Sequence, residues 1–406
     1  MNQQSQPPDA MAGDAGCAPN RRLRAVLFGS GRGIFPPLAE RFAQEFEIVH
    51  LPEIRYPRML LGWFLLISFH PSRKTWYRRW RHWVEHSPLS FRVVTRALGR
   101  ALQRHREEYD LVLHFGAQCA PGRDLDKPYF VFTDSCRLLS SRNPHDEVCH
   151  FRSQGEERQW LALEAEVYRK AQRVFVGSRF VKDAITSGYG VPERQVIATG
   201  FGAGLGFGEA FTKHYDGRTI LYIGKGDFEK KGGMVLLRAF EEVRRQRPDA
   251  VLHIVGQPDL APMPGVVSHG FVTDREKVLT LMRQAHILTL PSLVDRFGIV
   301  LVEAMACWTP CVSSDYGAMP EVVGNAGLVV PCGDSAALAS ALLALLNDPQ
   351  RSRELGVLGR ERYETRYNWG TIWQTIRSEI RLALGDVAAT RQARSEQAPA
   401  PFGRVS

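Results

Sequence analysis

Short apolar runs ending in glycine, serine or aspartate recur along most of this chain, with amphipathic stretches between them. The runs are Leu23 to Phe28, Glu47 to Leu51, Asp110 to Gly116, Pro128 to Asp134, Arg173 to Ser178 and Gln195 to Thr199. A second series follows: Thr219 to Gly224, Ala250 to Val255, Val266 to Phe271, His286 to Leu290, Thr309 to Ser314 and Ala326 to Pro331. Nearly continuous apolar runs of this length read as strands buried on both faces, the mark of a parallel sheet. Helical periodicity fills the intervals at Pro37 to Phe46, Gln159 to Ala171, Ser178 to Gly188, Met234 to Arg245, Asp274 to Gln284, Ser335 to Leu346 and Gln350 to Tyr367. Strand and helix alternating in both halves predicts an α/β protein of two Rossmann-like, doubly wound domains facing each other across a cleft.

Boundaries follow from the same pattern. Residues 1–20 carry Gln, Ser, Pro, Ala and Gly without periodicity and are expected to be a disordered tail. The first domain spans 21–200. The glycines from Gly200 to Gly208 mark an interdomain linker at 201–217, and a second domain spans 218–367. A helix at 368–385 is expected to return to the first domain, and 386–406 reads as a second disordered tail.

Length agrees with this count, since 406 residues exceed one ordinary core. A net charge of +9 favours anionic partners. Seven cysteines without a C-x-x-C pair read as reduced thiols of a cytoplasmic protein. No apolar h-region opens the chain, and no apolar run reaches the roughly 18 to 20 residues that a membrane-spanning helix needs. Between Arg55 and Arg106, arginines and Lys74 interleave with Trp63, Phe64, Phe69, Trp76, Tyr77, Trp80 and Trp83. Ordinary helices with inward aromatics would give this pattern; so would a surface that sits on an anionic membrane at headgroup level. Nucleic acid is not expected, because no binding-module signature accompanies the charge.

Candidate chemistry lies at the strand ends, where open α/β sheets bind ligands. The first strand runs into Gly29-Ser30-Gly31-Arg32-Gly33, a turn in which Gly31 and Gly33 could approach a phosphate. The dinucleotide fingerprint fails at Ile34, and such a turn also serves plain strand-to-helix geometry. His114 and Asp134 close two further strands and are candidates to face the cleft, although a strand-end histidine is as often a satisfied core residue. In the second half, Gly224-Lys225 ends a strand, and Lys230-Lys231 precede a helix. Two lysine sites beside a helix N-terminus would clamp a diphosphate; solvated surface lysines are the plainer reading. Asp295 and Glu303 flank a Phe297-Gly298 hinge, with Glu303 inside an apolar segment where a carboxylate needs hydrogen-bond donors.

The second half resembles the donor domain of the family-4 retaining glycosyltransferases, the group 1 enzymes with the GT-B fold. The resemblance rests on Gly224-Lys225, Lys231-Gly232, Gly256, Pro291-Ser292, Asp295, Phe297-Gly298, Glu303-Ala304-Met305-Ala306, Thr309-Pro310 and Gly317 to Val323, in that order. It implies transfer of a hexosyl-type sugar from a nucleotide diphosphate sugar of unknown base to an unknown acceptor held by the first domain. No cofactor and no metal are implied. Glu303 would accept from ribose hydroxyls and Asp295 from the transferred sugar. The amides of Phe297, Gly298 and Ile299 would meet sugar and phosphate oxygens, and Lys225 and Lys231 would stabilise the departing diphosphate. His114 would face the donor sugar. Gly31, Gly33, Asp134, Gly224, Lys230, Gly256 and Phe271 complete the expected substrate contacts. Three positions depart from the family pattern: Asp295 replaces Glu, and Arg296 and Trp308 each stand where Gly is usual. A nucleotide-sugar 2-epimerase, and a non-catalytic nucleotide-sugar binder or membrane-associated protein of the same fold, are the alternatives. The expected location is cytoplasmic, peripheral on the inner face of the plasma membrane.

Overall fold

The structure is a computed structural model that describes residues 22–29, 36–51, 58–122, 125–145, 150–204, 211–224, 226–256 and 260–396. Gly31, Gly33, Lys225 and the amino-terminal tail lie outside the described residues. The first domain runs β1 (Arg24–Gly29), α1 (Pro36–Glu45), β2 (Glu47–Val49), α2 (Arg58–Ile67), α3 (Arg73–His86), α4 (Pro88–Arg104), β3 (Leu111–Phe115), β4 (Tyr129–Thr133), α5 (Arg137–Arg142), α6 (Gln154–Lys170), β5 (Arg173–Val176), α7 (Arg179–Tyr189) and β6 (Val196–Ala198). The second runs β7 (Thr219–Ile223), α8 (Gly233–Gln246), β8 (Val251–Val255), β9 (Val266–Ser268), α9 (Arg275–Gln284), β10 (Ile287–Leu290), α10 (Ile299–Ala306), β11 (Cys311–Ser314), α11 (Met319–Val323), β12 (Gly327–Val330), α12 (Ser335–Leu346) and α13 (Pro349–Arg362), and α14 (Trp369–Glu396) is the last described element.

Each domain carries a six-stranded sheet, ordered β2-β1-β3-β4-β5-β6 and β12-β11-β10-β7-β8-β9, with every neighbouring pair parallel. Every residue of β3, β4, β10 and β11 is buried, as strands covered by helices on both faces must be. The second sheet reverses direction between β7 and β10. Ligands bind at such a switch point because two adjacent connections leave to opposite faces and part there. Gly224 and Pro291, which follow these two strands, therefore bracket the place where a site is expected.

Several elements differ from the sequence reading. Strand β9 ends at Ser268 because the chain turns at Gly270, whose φ is 61°, leaving Phe271 beyond the strand and 64% exposed. Helix α6 begins at Gln154, five residues before Gln159, because Ser153 Oγ accepts the Glu156 amide at 3.1 Å and caps it. Helix α14 continues to Glu396, through a stretch read as tail, in keeping with its Ala, Arg, Gln and Glu content. It packs on the first domain: Trp373 meets Phe42 edge-on at 5.2 Å, Arg173 pairs with Glu379 at 2.9 Å, and Arg377 and Arg381 hold Glu45.

Candidate functional site

The chain folds locally at the switch point through two interlocked loops. Asp227 Oδ1 accepts the Lys230 amide at 3.1 Å, closing a turn that places Lys230 and Lys231 before α8. The Lys230 carbonyl then accepts from the Leu293 and Val294 amides at 2.9 and 3.0 Å, tying this turn to the loop after β10. Gly232, at φ 74°, lies so close to that loop that a Cβ would sit 1.9 Å from the Pro291 carbonyl oxygen. Tyr222 is buried, which raises its pKa and keeps its hydroxyl a neutral donor, here to the Lys231 carbonyl at 3.3 Å.

Asp295 joins these loops electrostatically. Its Oδ2 holds Lys231 Nζ at 2.7 Å, and the same ammonium donates to the Val294 carbonyl at 3.2 Å. Its Oδ1 accepts from the Phe297 and Gly298 amides at 3.2 and 2.9 Å. Gly298 is in the left-handed region and opens α10, so the first turn of that helix starts against the acid. Two of the three amides expected to meet a substrate therefore meet Asp295 in this state.

A cleft of about 290 Å³ lies over these groups and is lined from both domains. It gathers Asp134, Lys230, Lys231, Asp295, Phe297, Gly298 and Ile299, all expected from sequence, and adds Phe201, Asp227, Val294 and Arg296. Arg296 Nη1 reaches Asp134 Oδ2 at 3.4 Å across the interface. Charge is thus paired within the cleft, Lys231 against Asp295 and Arg296 against Asp134, and an anionic ligand must compete with these carboxylates. Glu303 sits one turn into α10, about 6 Å along the axis from Ile299, half-buried. Its Oε1 accepts the Gly204 amide of the linker at 3.2 Å, so the apolar segment's acid does have a donor.

Other expected residues are not brought into this cleft. His114 is 1% exposed in the interior of the first domain, 3.7 Å from Cys119 Sγ and packed on Phe28. Burial alone pulls its pKa down to about 4. The structure places the ring on the core side of that strand end, with Nδ1 buried and without a hydrogen-bond partner among the described residues. Gly224 and Gly256 end β7 and β8, donating to the Val255 and Gly270 carbonyls at 3.0 and 2.7 Å, and Phe271 stands exposed beyond β9. None of these three is among the residues that line the cleft. Sequence reading missed Asp227 and Phe201; the Asp three residues before Lys230 is a turn signal that marks the first. It also gave no contact to Glu321, whose carboxylate accepts the Arg179 amide at 2.8 and 3.0 Å and the Phe180 amide at 3.3 Å, at the start of α7 in the other domain.

Residues 217–348, which contain the lysine turn, Asp295 and Glu303, match the family described as Glycosyl transferases group 1. The second domain belongs to the group 1 glycosyltransferases. Phosphatidyl-myo-inositol mannosyltransferase of Mycobacterium leprae is 42% identical over 172 residues, 39% of this chain and 45% of that protein. Glycogen synthase of Mycobacterium tuberculosis is 30% identical over 240 residues, 56% of this chain and 58% of that protein. The chain spans about half the length of the sequence relatives it matches. The fold extends further: HepE of Anabaena, solved in complex with UDP, superposes with a TM-score of 0.59 over 88% of this chain and 99% of that one, at 16% identity. Two facing Rossmann-like domains of this kind are the GT-B fold.

Proposed function

We propose that this chain is a retaining glycosyltransferase that moves a hexosyl-type sugar from a nucleotide diphosphate sugar to an acceptor held by the first domain. The observation that carries the reading is the Lys231–Asp295 pair, set among turn amides at the switch point and facing Asp134 of the other domain. A diphosphate entering the cleft takes Lys231 from Asp295, and Asp295, released, accepts from hydroxyls of the transferred sugar. Lys231, with Lys225 beside it in sequence, stabilises the charge that develops on the leaving diphosphate, an electrostatic role that fixed cations can fill without a cofactor or metal. Glu303 accepts from the ribose hydroxyls. Hexosyl transfer is supported by the names of the mannosyltransferase and glycogen synthase relatives, and a nucleotide donor by the UDP seen with HepE. Retention of configuration is supported by the family resemblance.

The membrane part of the reading rests on α2 and α3. Phe64 is buried and Trp83 stacks on it at 5.9 Å, so part of the aromatic content packs inward. Met59, Leu66, Phe69 and Tyr77 are 90, 76, 66 and 61% exposed, next to Arg73, Lys74 and Arg79. Apolar tips ringed by cations suit an anionic bilayer face. No helix among the described residues is long and apolar enough to cross a membrane, so the attachment proposed is peripheral, on the cytoplasmic face.

The reaction is tested by incubating the protein with UDP-, GDP- and ADP-sugars and an acceptor extract and following nucleoside diphosphate release. Turnover with one donor that Glu303→Gln lowers at least about 100-fold is expected from loss of a charged hydrogen-bond acceptor in the bound state. Undiminished turnover in Glu303→Gln refutes the site, and a changed donor sugar with no acceptor present assigns an epimerase instead. For the membrane, flotation with vesicles containing phosphatidylglycerol should weaken with salt and with Leu66→Glu and Phe69→Glu together. No flotation at low salt removes that part alone.

A further inference from the structure

A second site lies on the helix-covered face of the first domain. Helix α4 contributes Phe91, Leu98 and Leu102 to the core against Val112 and Val131, and turns Arg92, Arg96 and Arg100 outward. Spacing of four residues puts these guanidinium groups on one side, about 6 Å apart along the axis. The helix has no acid anywhere along its length, so the arginines repel one another unless a counter-charge arrives from elsewhere.

The structure supplies a groove in which, among the described residues, the lining carboxylates Asp126 and Glu166 are already paired. A cavity of about 670 Å³ runs between α4, the connection from β3 to β4 and α6. The connection is held against the helix: Thr95 Oγ1 accepts the Ala120 amide at 2.9 Å, and a Cβ on Gly99 would come within 3.3 Å of Gly122 Cα. Arg92, Arg96, Arg100 and Arg106 line the groove, with Leu125 and Leu163 among its apolar walls. Arg106 is held by Asp126, Arg92 by the neutral Gln159 at 3.2 Å, and Glu166 is taken by Lys170 at 2.8 Å. Among the described residues neither Arg96 nor Arg100 meets a carboxylate. No residue lining this groove lines the cleft between the domains.

We propose that this groove binds a phosphate-bearing ligand, its phosphoryl oxygens bridging Arg96 and Arg100 and its less polar body lying on the Leu125 and Leu163 side. Guanidinium forks suit phosphate oxygens, and the volume suits a small metabolite rather than a lone ion. A free sugar phosphate or diphosphate and a phospholipid headgroup share this chemistry.

The full chain is titrated calorimetrically with inorganic pyrophosphate and hexose 6-phosphate, and by flotation with phosphatidylglycerol vesicles, as wild type, Lys231→Ala and Arg96→Gln/Arg100→Gln. Pyrophosphate binding at the groove persists in Lys231→Ala, and the double variant weakens it at least about tenfold, as loss of two charged donors requires. A soluble ligand is assigned if the double variant loses hexose phosphate binding, and a headgroup if it loses vesicle binding instead. Both arginines are exposed and mutually repelling, so the unliganded double variant should melt no lower than wild type. Equal affinity for all three probes in the double variant and wild type overturns the proposal. Failure of the cleft reading shows instead in Lys231→Ala, which leaves the groove untouched.

Discussion

Asp295 performs two separable tasks, and two substitutions divide them. Its Oδ2 holds Lys231 at 2.7 Å and its Oδ1 caps the Phe297 and Gly298 amides at 3.2 and 2.9 Å. Asp295→Asn keeps an acceptor for the amides and removes the charge; Asp295→Ala removes both. The two ion-pair side chains are 27 and 16% exposed, so the bond is placed at the low end for charged hydrogen bonds, about 1.5 kcal/mol. A cap of this kind contributes about 1 kcal/mol more. Urea unfolding should therefore show Asn costing about 1.5 kcal/mol and Ala about 2.5. Binding should move the other way. Without Asp295's charge, Lys231 is available to the diphosphate, and calorimetry should show the Asn variant binding the preferred nucleoside diphosphate up to about tenfold tighter. Its turnover of the nucleotide sugar should fall at least about 100-fold, because the sugar hydroxyls lose a charged acceptor. Nucleoside diphosphate affinity unchanged or weakened in Asp295→Asn refutes the idea that Asp295 holds the diphosphate-binding lysine in check.

Three further outcomes follow from the same geometry. Gly232→Ala forces a Cβ to within 1.9 Å of the Pro291 carbonyl oxygen at φ 74°, so it should lower stability by at least about 2 kcal/mol and abolish nucleotide binding, read by urea melts and calorimetry. Burial, with help from Arg137 and His82, brings His86 down to about 3, and burial alone brings His114 to about 4, against about 6.5 when unfolded. The unfolded chain then binds more protons below pH 6.5, so stability is full above that value and falls as the pH drops towards about 3 to 4; urea unfolding at pH 5 should show a loss of about 2 kcal/mol of stability for each histidine relative to pH 7.5. Glu321→Gln removes a negative charge from the start of α7, worth about 1 kcal/mol, and hydrogen exchange at the Arg179 and Phe180 amides should speed about fivefold while the β3 amides are unchanged.

Strands were legible because parallel sheets demand long apolar runs, which few other elements produce at that length. Sheet order was not, since it depends on which runs pair rather than where they lie. Lys231 and Asp295 were legible through their place in a shared motif. A strand end gives no sign of which face its side chain takes, so the side that His114 shares with Val112, under α4, was not legible. Pairs such as Arg296 with Asp134 and Glu321 with α7 join residues 162 and 142 positions apart, beyond any local pattern. Trp308 shows a departure with a physical trace. It stands where the family usually has glycine, and at φ 53° it is the one non-glycine residue with positive φ among the described residues. Arg360, 4.2 Å above its ring, and Phe211, edge-on at 5.4 Å, hold it in that conformation.

The loops at the switch point of the second domain should bind a nucleotide diphosphate through Lys231. Thermal unfolding of the full chain with UDP, GDP and ADP in turn measures this before any acceptor is known. At least one should raise the melting temperature in a concentration-dependent way, and Lys231→Ala should remove the shift. No shift with any of the three, or a shift that survives Lys231→Ala unchanged, contradicts the account.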